Sequence, residues 1–335
     1  MPVDKIQVQG DARVKYESAT VNGRKYGYLL SQPESGIYRA TIFLIHGFPD
    51  LSMGWRYQIP MLVNMGLRVV APDCLGYGRT DAPDDHTEYR HKRCADDIKA
   101  LANHLGESQI ILGGHDWGAF LAYRVALWQP DLITHLFTVC VPHTGLKKDY
   151  VPLEDLVRFV PSLTYQVQFA SGELEKVLTA RQEIKQFLTT LYGGRTPDGN
   201  LGFTVEKGLL LDSYMSAEPP RLLSEEELEY YVTEFSRNGM HGPLNWYRTR
   251  KVNFDDEESI VDRKITIPTL FIQALRDQAL PPHLSKSMEK EIPGAIIKSV
   301  DTAHWALLEK PEEVNAIISG WLNDIVFAGK PAEKL

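Results

Sequence analysis

Ile110-Ile111-Leu112-Gly113-Gly114-His115-Asp116-Trp117-Gly118 carries a short apolar run through an aspartate flanked by glycines and into Ala119 to Trp128, which reads as a helix closed by Pro130. A residue at a sharp strand-to-helix turn needs small neighbours two before and two after it, because larger side chains there would clash. The residue at the centre is then projected above the end of the strand. It is usually a serine; here it is Asp116. An aspartate that merely caps the next helix would look similar, so the rest of the chain has to decide.

Working outward, the same strand-then-stop pattern recurs. Thr41 to Ile45 ends at His46-Gly47, Leu67 to Ala71 ends at Pro72-Asp73, and Leu132 to Val141 ends at Pro142. Ala95, Ile98, Leu101, Ala102 and Leu105 keep helical spacing, with Gly106 as a stop. Near the start, Ser18 to Val21 and Tyr26 to Leu30 flank Asn22-Gly23, a pair suited to a tight hairpin turn. Short buried strands alternating with helices predict an α/β fold with a mostly parallel sheet and helices on both faces.

The alternation stops from about His143 to Arg250, where the pattern is helical and loop-like with no buried strand. Leu174, Val177, Leu178, Ile184, Phe187, Leu188 and Leu191 mark one amphipathic helix. Ser224 and Glu227 form a capping box for another, continued by Leu228, Tyr231, Val232 and Phe235 to Gly239. Strand signals return at Thr269 to Ile272 and Ala295 to Val300. A last helix follows Pro311, with Val314, Ile317, Ile318, Trp321, Leu322 and Ile325 on one face. The expected organisation is a core over 1–142, a helical insertion over 143–250 and the rest of the core over 251–335.

Composition fits this reading. With 335 residues the chain exceeds what one small core holds, and 43% hydrophobic with 24% charged residues is ordinary for a globular protein. A net charge of −8 gives no broad attraction to nucleic acid or an anionic membrane. Cys74, Cys94 and Cys140 share no metal-ligand spacing and are odd in number, which favours a reducing compartment over a disulfide framework. No signal peptide is read at Met1-Pro2-Val3-Asp4-Lys5, and no transmembrane segment. Glu333-Lys334-Leu335 is near a peroxisomal tripeptide but lacks its serine, so cytoplasm is the default expectation. The runs Asp84 to Arg93 and Asp255 to Glu258 read as solvated charge.

The partners of Asp116 appear in the order the fold demands. Asp277 follows the strand Thr269 to Ile272, and His304 follows the strand Ala295 to Val300. The ends of parallel strands converge on one site. Asp116 then reads as nucleophile, His304 as base and Asp277 as the acid that orients it. His46-Gly47-Phe48-Pro49-Asp50 follows the first parallel strand, and the backbone N–H groups of Phe48 and Trp117 are candidates for an oxyanion hole. His46 reads as a pin for its loop and His115 as a packing residue.

Four segments, His46-Gly47-Phe48-Pro49, Gly76-Tyr77-Gly78-Arg79-Thr80, Gly114-His115-Asp116-Trp117-Gly118 and Ala303-His304-Trp305, closely resemble the soluble epoxide hydrolases of the α/β-hydrolase superfamily. Thr164-Tyr165-Gln166-Val167-Gln168-Phe169 and Gly242-Pro243-Leu244-Asn245-Trp246-Tyr247-Arg248 resemble that family's two cap-tyrosine segments. The resemblance runs from about Tyr16 to Val326. It implies an α/β-hydrolase fold with an inserted helical cap and an epoxide substrate opened with water. It also implies that Tyr165 and Tyr247 hold the epoxide oxygen, that Phe48 and Trp117 join them around the substrate, and that Phe48–Pro49 is a cis peptide. Leu75 and Ala303 depart from it, standing where the family often has arginine and commonly has glycine.

The chemistry is coherent. A carboxylate ionised at neutral pH opens an epoxide carbon directly and becomes an ester, which water activated by the histidine then hydrolyses. Two alternatives stay open: a haloalkane dehalogenase with the same nucleophile, histidine and acid, and a non-catalytic ligand-binding protein of this fold. No phosphate-binding Gly-x-x-x-x-Gly-Lys run, His-Glu-x-x-His or dinucleotide fingerprint is present, so neither cofactor nor metal is expected. Oligomeric state is not readable from the sequence.

Overall fold

The computed structural model describes residues 3–328, which leaves Glu333-Lys334-Leu335 outside the described residues. The Asn22-Gly23 turn forms with both residues at positive φ (48° and 77°), and β1 (Lys15–Val21) pairs antiparallel with β2 (Arg24–Ser31) across it. The apolar, β-branched runs then supply β3 (Ala40–Ile45), β4 (Leu67–Pro72), β5 (Ile110–His115) and β6 (Ile133–Val139). A small hairpin, β7 (Phe203–Thr204) and β8 (Gly208–Leu209), stands apart. Finally β9 (Thr269–Ala274) and β10 (Ile296–Val300) complete an eight-stranded sheet in the order β1-β2-β4-β3-β5-β6-β9-β10. From β4 to β10 every neighbour is parallel.

The register of the central strands places the site. Ile45 pairs with Gly114, so the loop that leaves β3 lies against the turn that leaves β5. The helix Trp117–Trp128 starts at once after Asp116, and its glycine explains how close it comes. A Cβ on Gly118 would sit 2.1 Å from the Ile45 carbonyl oxygen, and one on Gly114 would sit 2.4 Å from the Gly118 carbonyl oxygen. Only a side-chain-free backbone lets the helix seat on the strand.

Between β6 and β9 the chain is mainly helical. The structure corrects several expectations there. The segment does contain strands, the β7–β8 hairpin, whose Gly208 and Leu209 are buried. The single helix expected over Leu174–Leu191 is two, Glu173–Val177 and Arg181–Leu191. The second begins afresh because Ala180 is extended and its N–H donates to the Glu183 carboxylate at 3.0 Å. Apolar spacing survives the break, since Leu174, Leu178, Ile184 and Leu188 are all buried. The Ser224–Glu227 capping box is present in both directions and opens the helix Glu225–Asn238.

Two further corrections concern burial. The last helix, Pro311–Trp321, widens into a π turn at Leu322–Val326, closed by Phe327 N–H on the Leu322 carbonyl, and this rotates Ile325 out to 39% exposure. The two charged runs are not simply solvated. Tyr89 and His91 are buried within the first. In the second, Glu257 is buried on the helix Arg250–Glu257 and accepts from the Arg124 guanidinium at 2.9 Å. Among the described residues no helix is long and apolar enough to cross a membrane.

Replacing Gly118 by Ala forces a methyl group into backbone that cannot yield. We expect a loss of about 1–3 kcal/mol, measured as a lower urea midpoint at unchanged slope.

Candidate active site

Asp116 follows β5 with φ 53° and ψ −125°, a backbone state that non-glycine residues seldom adopt and that tends to mark functional turns. The strain aims its carboxylate back over the sheet, against Gly47. A Cβ there would meet Asp116 Oδ1 at 2.3 Å, so the β3 loop needs its glycine too. The Phe48 N–H donates to Asp116 Oδ1 at 2.7 Å, and the Phe48–Pro49 peptide is cis. No hydrogen bond from the Trp117 N–H reaches this carboxylate, although that group lies in the first turn of its helix, where N–H groups lack intrahelical partners. His46 pins its own loop: Nε2 accepts from the Cys74 N–H at 2.9 Å, and Nδ1 lies 2.9 Å from the Gly47 carbonyl.

The other two strand ends deliver the partners. Asp277, just beyond β9, has Oδ1 fixed by the N–H groups of Ala279 and Leu280, both at 2.9 Å. Its Oδ2 accepts from His304 Nδ1 at 2.7 Å, and His304 Nε2 faces Asp116 Oδ2 at 3.4 Å. The structure thus brings Asp116, Asp277 and His304 into one chain of contacts. Burial alone would lower the imidazole pKa, but the charges of Asp277 and Asp116 outweigh it and hold His304 well above 6.5. Burial likewise works against both carboxylates, and the imidazolium more than offsets it, so Asp116 and Asp277 lie below 3.8. These shifts favour ionised aspartates beside a protonated histidine.

Two residues in this neighbourhood have roles that composition and spacing did not reveal. His115 and Cys140 both donate to the His304 carbonyl, at 2.9 Å and 3.2 Å. Burial, chiefly, lowers the His115 pKa to about 4, so it is neutral and acts as a fixed donor; it does more than pack. Cys140 follows β6 with φ 70°, which also explains why that strand stops at Val139, short of Val141. Together with His304 these two are the one cluster of metal-ligand types among the described residues. It suits a metal poorly. The imidazole nitrogens of His304 are engaged, and burial pushes the Cys140 thiol far above its ordinary pKa, away from the thiolate a metal requires.

Tyr165 and Tyr247 come from the stretch between β6 and β9 and face the same cavity as Asp116 and Trp117. Tyr165 opens the short helix Tyr165–Ala170, and Tyr247 lies in the turn Trp246–Arg248. Their rings are 6.1 Å apart, and Tyr247 packs edge-on against Phe48 (5.1 Å) and Trp117 (5.2 Å). Burial first, and the Asp116 charge among the further causes, raise both phenols well above 10.0, so they stay protonated. Arg248 holds the two elements together, donating to the Ala170 carbonyl at 3.0 Å, to Asn245 Oδ1 at 2.7 Å and to Glu175. The Trp246 indole N–H ties the turn to the core through the Leu75 carbonyl at 3.0 Å. Leu75 therefore contributes backbone here, and its departure from arginine leaves this tie intact. Ala303 avoids the left-handed region, so no glycine is needed there.

The cavity itself is about 290 Å³, with a wall that is mainly apolar. That is small-ligand scale.

Residues 40–311 match the model of the alpha/beta hydrolase fold family. The chain is 37% identical over 333 residues to epoxide hydrolase srdG of Neurospora crassa, covering 94% of this chain and 97% of that protein. It is 33% identical over 318 residues to bifunctional epoxide hydrolase 2 of Rattus norvegicus, but spans only 56% of that longer protein. Among solved structures, a mutant of the Vigna radiata epoxide hydrolase superposes with a TM-score of 0.78 at 26% identity, covering 93% of this chain and 99% of that one. Epoxide hydrolase A from Mycobacterium thermoresistibile gives 0.77 at 28%, covering 92% and 98%.

The pKa shifts fix how stability responds to pH. The two lowered aspartates contribute stability above pH 3.8 and lose it as pH falls through their depressed values. The raised imidazole contributes fully below pH 6.5 and loses its contribution as pH rises through its elevated value. Denaturation midpoints measured from neutral to alkaline pH should therefore decline more steeply for the wild type than for His304→Gln. Parallel curves would contradict the ionised arrangement.

Proposed function

The chain belongs to the α/β-hydrolase fold family, among its epoxide hydrolases, and we propose that it opens epoxides to vicinal diols through an ester on Asp116. In this reading 143–250 is a cap over a core formed by 1–142 and 251–335. The observation that carries it is a buried carboxylate and two buried phenols on the walls of one apolar cavity.

Asp116 Oδ1 is held by the Phe48 N–H at 2.7 Å while Oδ2 meets His304 Nε2 only at 3.4 Å, so Oδ2 is the attacking oxygen in this reading. A new C–O bond forms as the epoxide C–O bond breaks, and the departing oxygen takes a proton from the tyrosine pair. A phenol is a far stronger acid than the alcohol formed. The proton that restores the tyrosine comes from the His304 imidazolium, which thereby becomes a base. His304 then takes a proton from water as that water attacks the ester carbon, and Oδ1 carries the developing negative charge beside the Phe48 and Trp117 N–H groups. Collapse releases the diol and returns an ionised Asp116 beside a protonated His304, so the protons balance over the cycle.

Consumption of the Asp116 charge times these events. While ionised, it raises the pKa of His304 and of both tyrosines. Once it is an ester, His304 becomes easier to deprotonate and the tyrosines become better acids. The halide-releasing alternative gives the phenols no work, since a halide leaves without a proton, and Phe48 offers it no side-chain donor.

Replacing His304 by Gln should permit ring opening but stall hydrolysis. Mass spectrometry after mixing with styrene oxide should then find the substrate mass added to Asp116, whereas Asp116→Ala should show no adduct. Normal turnover by the glutamine variant would remove His304 from the mechanism.

Phenylalanine at either tyrosine removes one donor to the forming alkoxide. A donor of this kind is worth about 2.7–4 kcal/mol in comparable oxyanion sites, and the remaining tyrosine should soften each single loss. The Tyr165→Phe, Tyr247→Phe double variant should keep its fold and lose nearly all single-turnover ring opening. An active double variant would reduce the pair to packing.

A further inference from the structure

The cavity has a charged end that opening an epoxide does not use. The helix Arg250–Glu257 turns Arg250, Asn253, Phe254 and Glu257 toward it, the spacing of one helical face. Most of the polar groups on this face are matched. Glu257 pairs with Arg124, and Asn253 accepts from the His91 N–H at 2.7 Å and donates to Thr249 at 2.9 Å. Arg250 is different. Its Nε donates to the Val151 carbonyl at 2.5 Å, and among the described residues no carboxylate lies within ion-pair distance of it. Lys147, on the same cavity, is similar: it donates to the Thr144 carbonyl at 2.9 Å and has no acidic partner among the described residues.

Arginine does not neutralise itself by losing a proton, and taking a cation out of water is costly unless it is paired. Glu257 pairs with Arg124 and its charge also reaches Arg250, so this end of the lining sets three cations, Arg124, Lys147 and Arg250, against two acids, Glu257 and Asp149. Lys147, Asp149 and Tyr150 are exposed, so this end opens to water, while Asp116, Tyr165 and Tyr247 are buried. Leu153, Leu156 and Phe120 add apolar wall to the same cavity. Such a cavity matches a molecule with an apolar body and an anionic head, whose head can stay partly hydrated while the body is enclosed.

We propose that Arg250, supported by Lys147, anchors a carboxylate at the far end of the epoxide substrate, and so selects acidic epoxides over neutral ones. This rests on the reading of Asp116 as the epoxide-opening nucleophile. Arg250 sets which substrate is held and takes no part in bond making. Its planar fork suits a carboxylate in a two-point contact.

The test compares terminal epoxides that carry a carboxylate at increasing chain length with their methyl esters, using the full chain. The quantity read is the ratio of kcat/KM for acid to ester, because damage to the fold lowers both rates and leaves the ratio unmoved. The wild type should prefer the acid at one range of lengths by about tenfold or more, the scale of a hydrogen bond to a charged group. Added salt should reduce the preference, since this end is open to solvent. Arg250→Met should bring the ratio close to one, and Arg250→Lys should retain part of it. Arg250→Glu should invert the preference toward an epoxide bearing an ammonium group. A wild-type ratio near one at every length, with styrene oxide still hydrolysed, overturns the anchor alone, as does a ratio that survives in the Arg250→Met, Lys147→Met double variant. A folded protein that hydrolyses no epoxide overturns the nucleophile reading and the anchor with it.

Discussion

A carboxylate kept ionised where water is scarce is the constraint that organises this molecule. Asp116 is 8% exposed, and an isolated charge at such a depth costs several kcal/mol or more. Its surroundings offset that cost from two sides: the Phe48 N–H meets one oxygen and the His304 imidazolium faces the other. The imidazolium in turn needs Asp277, and Asp277 needs the backbone N–H groups of Ala279 and Leu280. Strands β3, β5, β9 and β10 are thereby linked electrostatically at the ends where their backbone pairing stops. The left-handed turn at Asp116 and the bare backbone at Gly47, Gly114 and Gly118 are the steric counterpart of the same arrangement.

How much of this could be read beforehand depended on the range of the interaction. The elbow was legible because its requirement is local: two glycines, an aspartate, a strand before and a helix after. Asp277 and His304 were legible because each follows a strand, and strand ends in a parallel sheet converge. Glu257 reads as solvated because Asp255 and Glu258 beside it do lie toward solvent, while the partner that buries it, Arg124, is 133 residues away. Nothing around Cys140 marks a non-glycine residue with positive φ, and no spacing joins it or His115 to the His304 carbonyl. The break between the helices Glu173–Val177 and Arg181–Leu191 escaped notice because the buried face continues across it.

The tyrosine pair shows the same division. Motif resemblance located Tyr165 and Tyr247, but not the guanidinium that sets their separation. Arg248 adjoins Tyr247 in sequence and bonds to the end of the helix that begins with Tyr165. The two phenols are thus mounted on one polar clasp, which is itself tied to the core through the Trp246 indole. Because the accepting atom is the Leu75 carbonyl, the side chain at that position is free to differ from the family's usual residue.

The helix Leu153–Phe159 has no buried residue, and Phe159 is 81% exposed, yet Leu153 and Leu156 form part of the cavity wall. Stability and selectivity are therefore carried by different residues. Changes on this wall reshape the space offered to a substrate while sparing the sheet, the elbow and the buried ion pairs, so descendants of this chain can explore new molecules without first having to be rescued from unfolding.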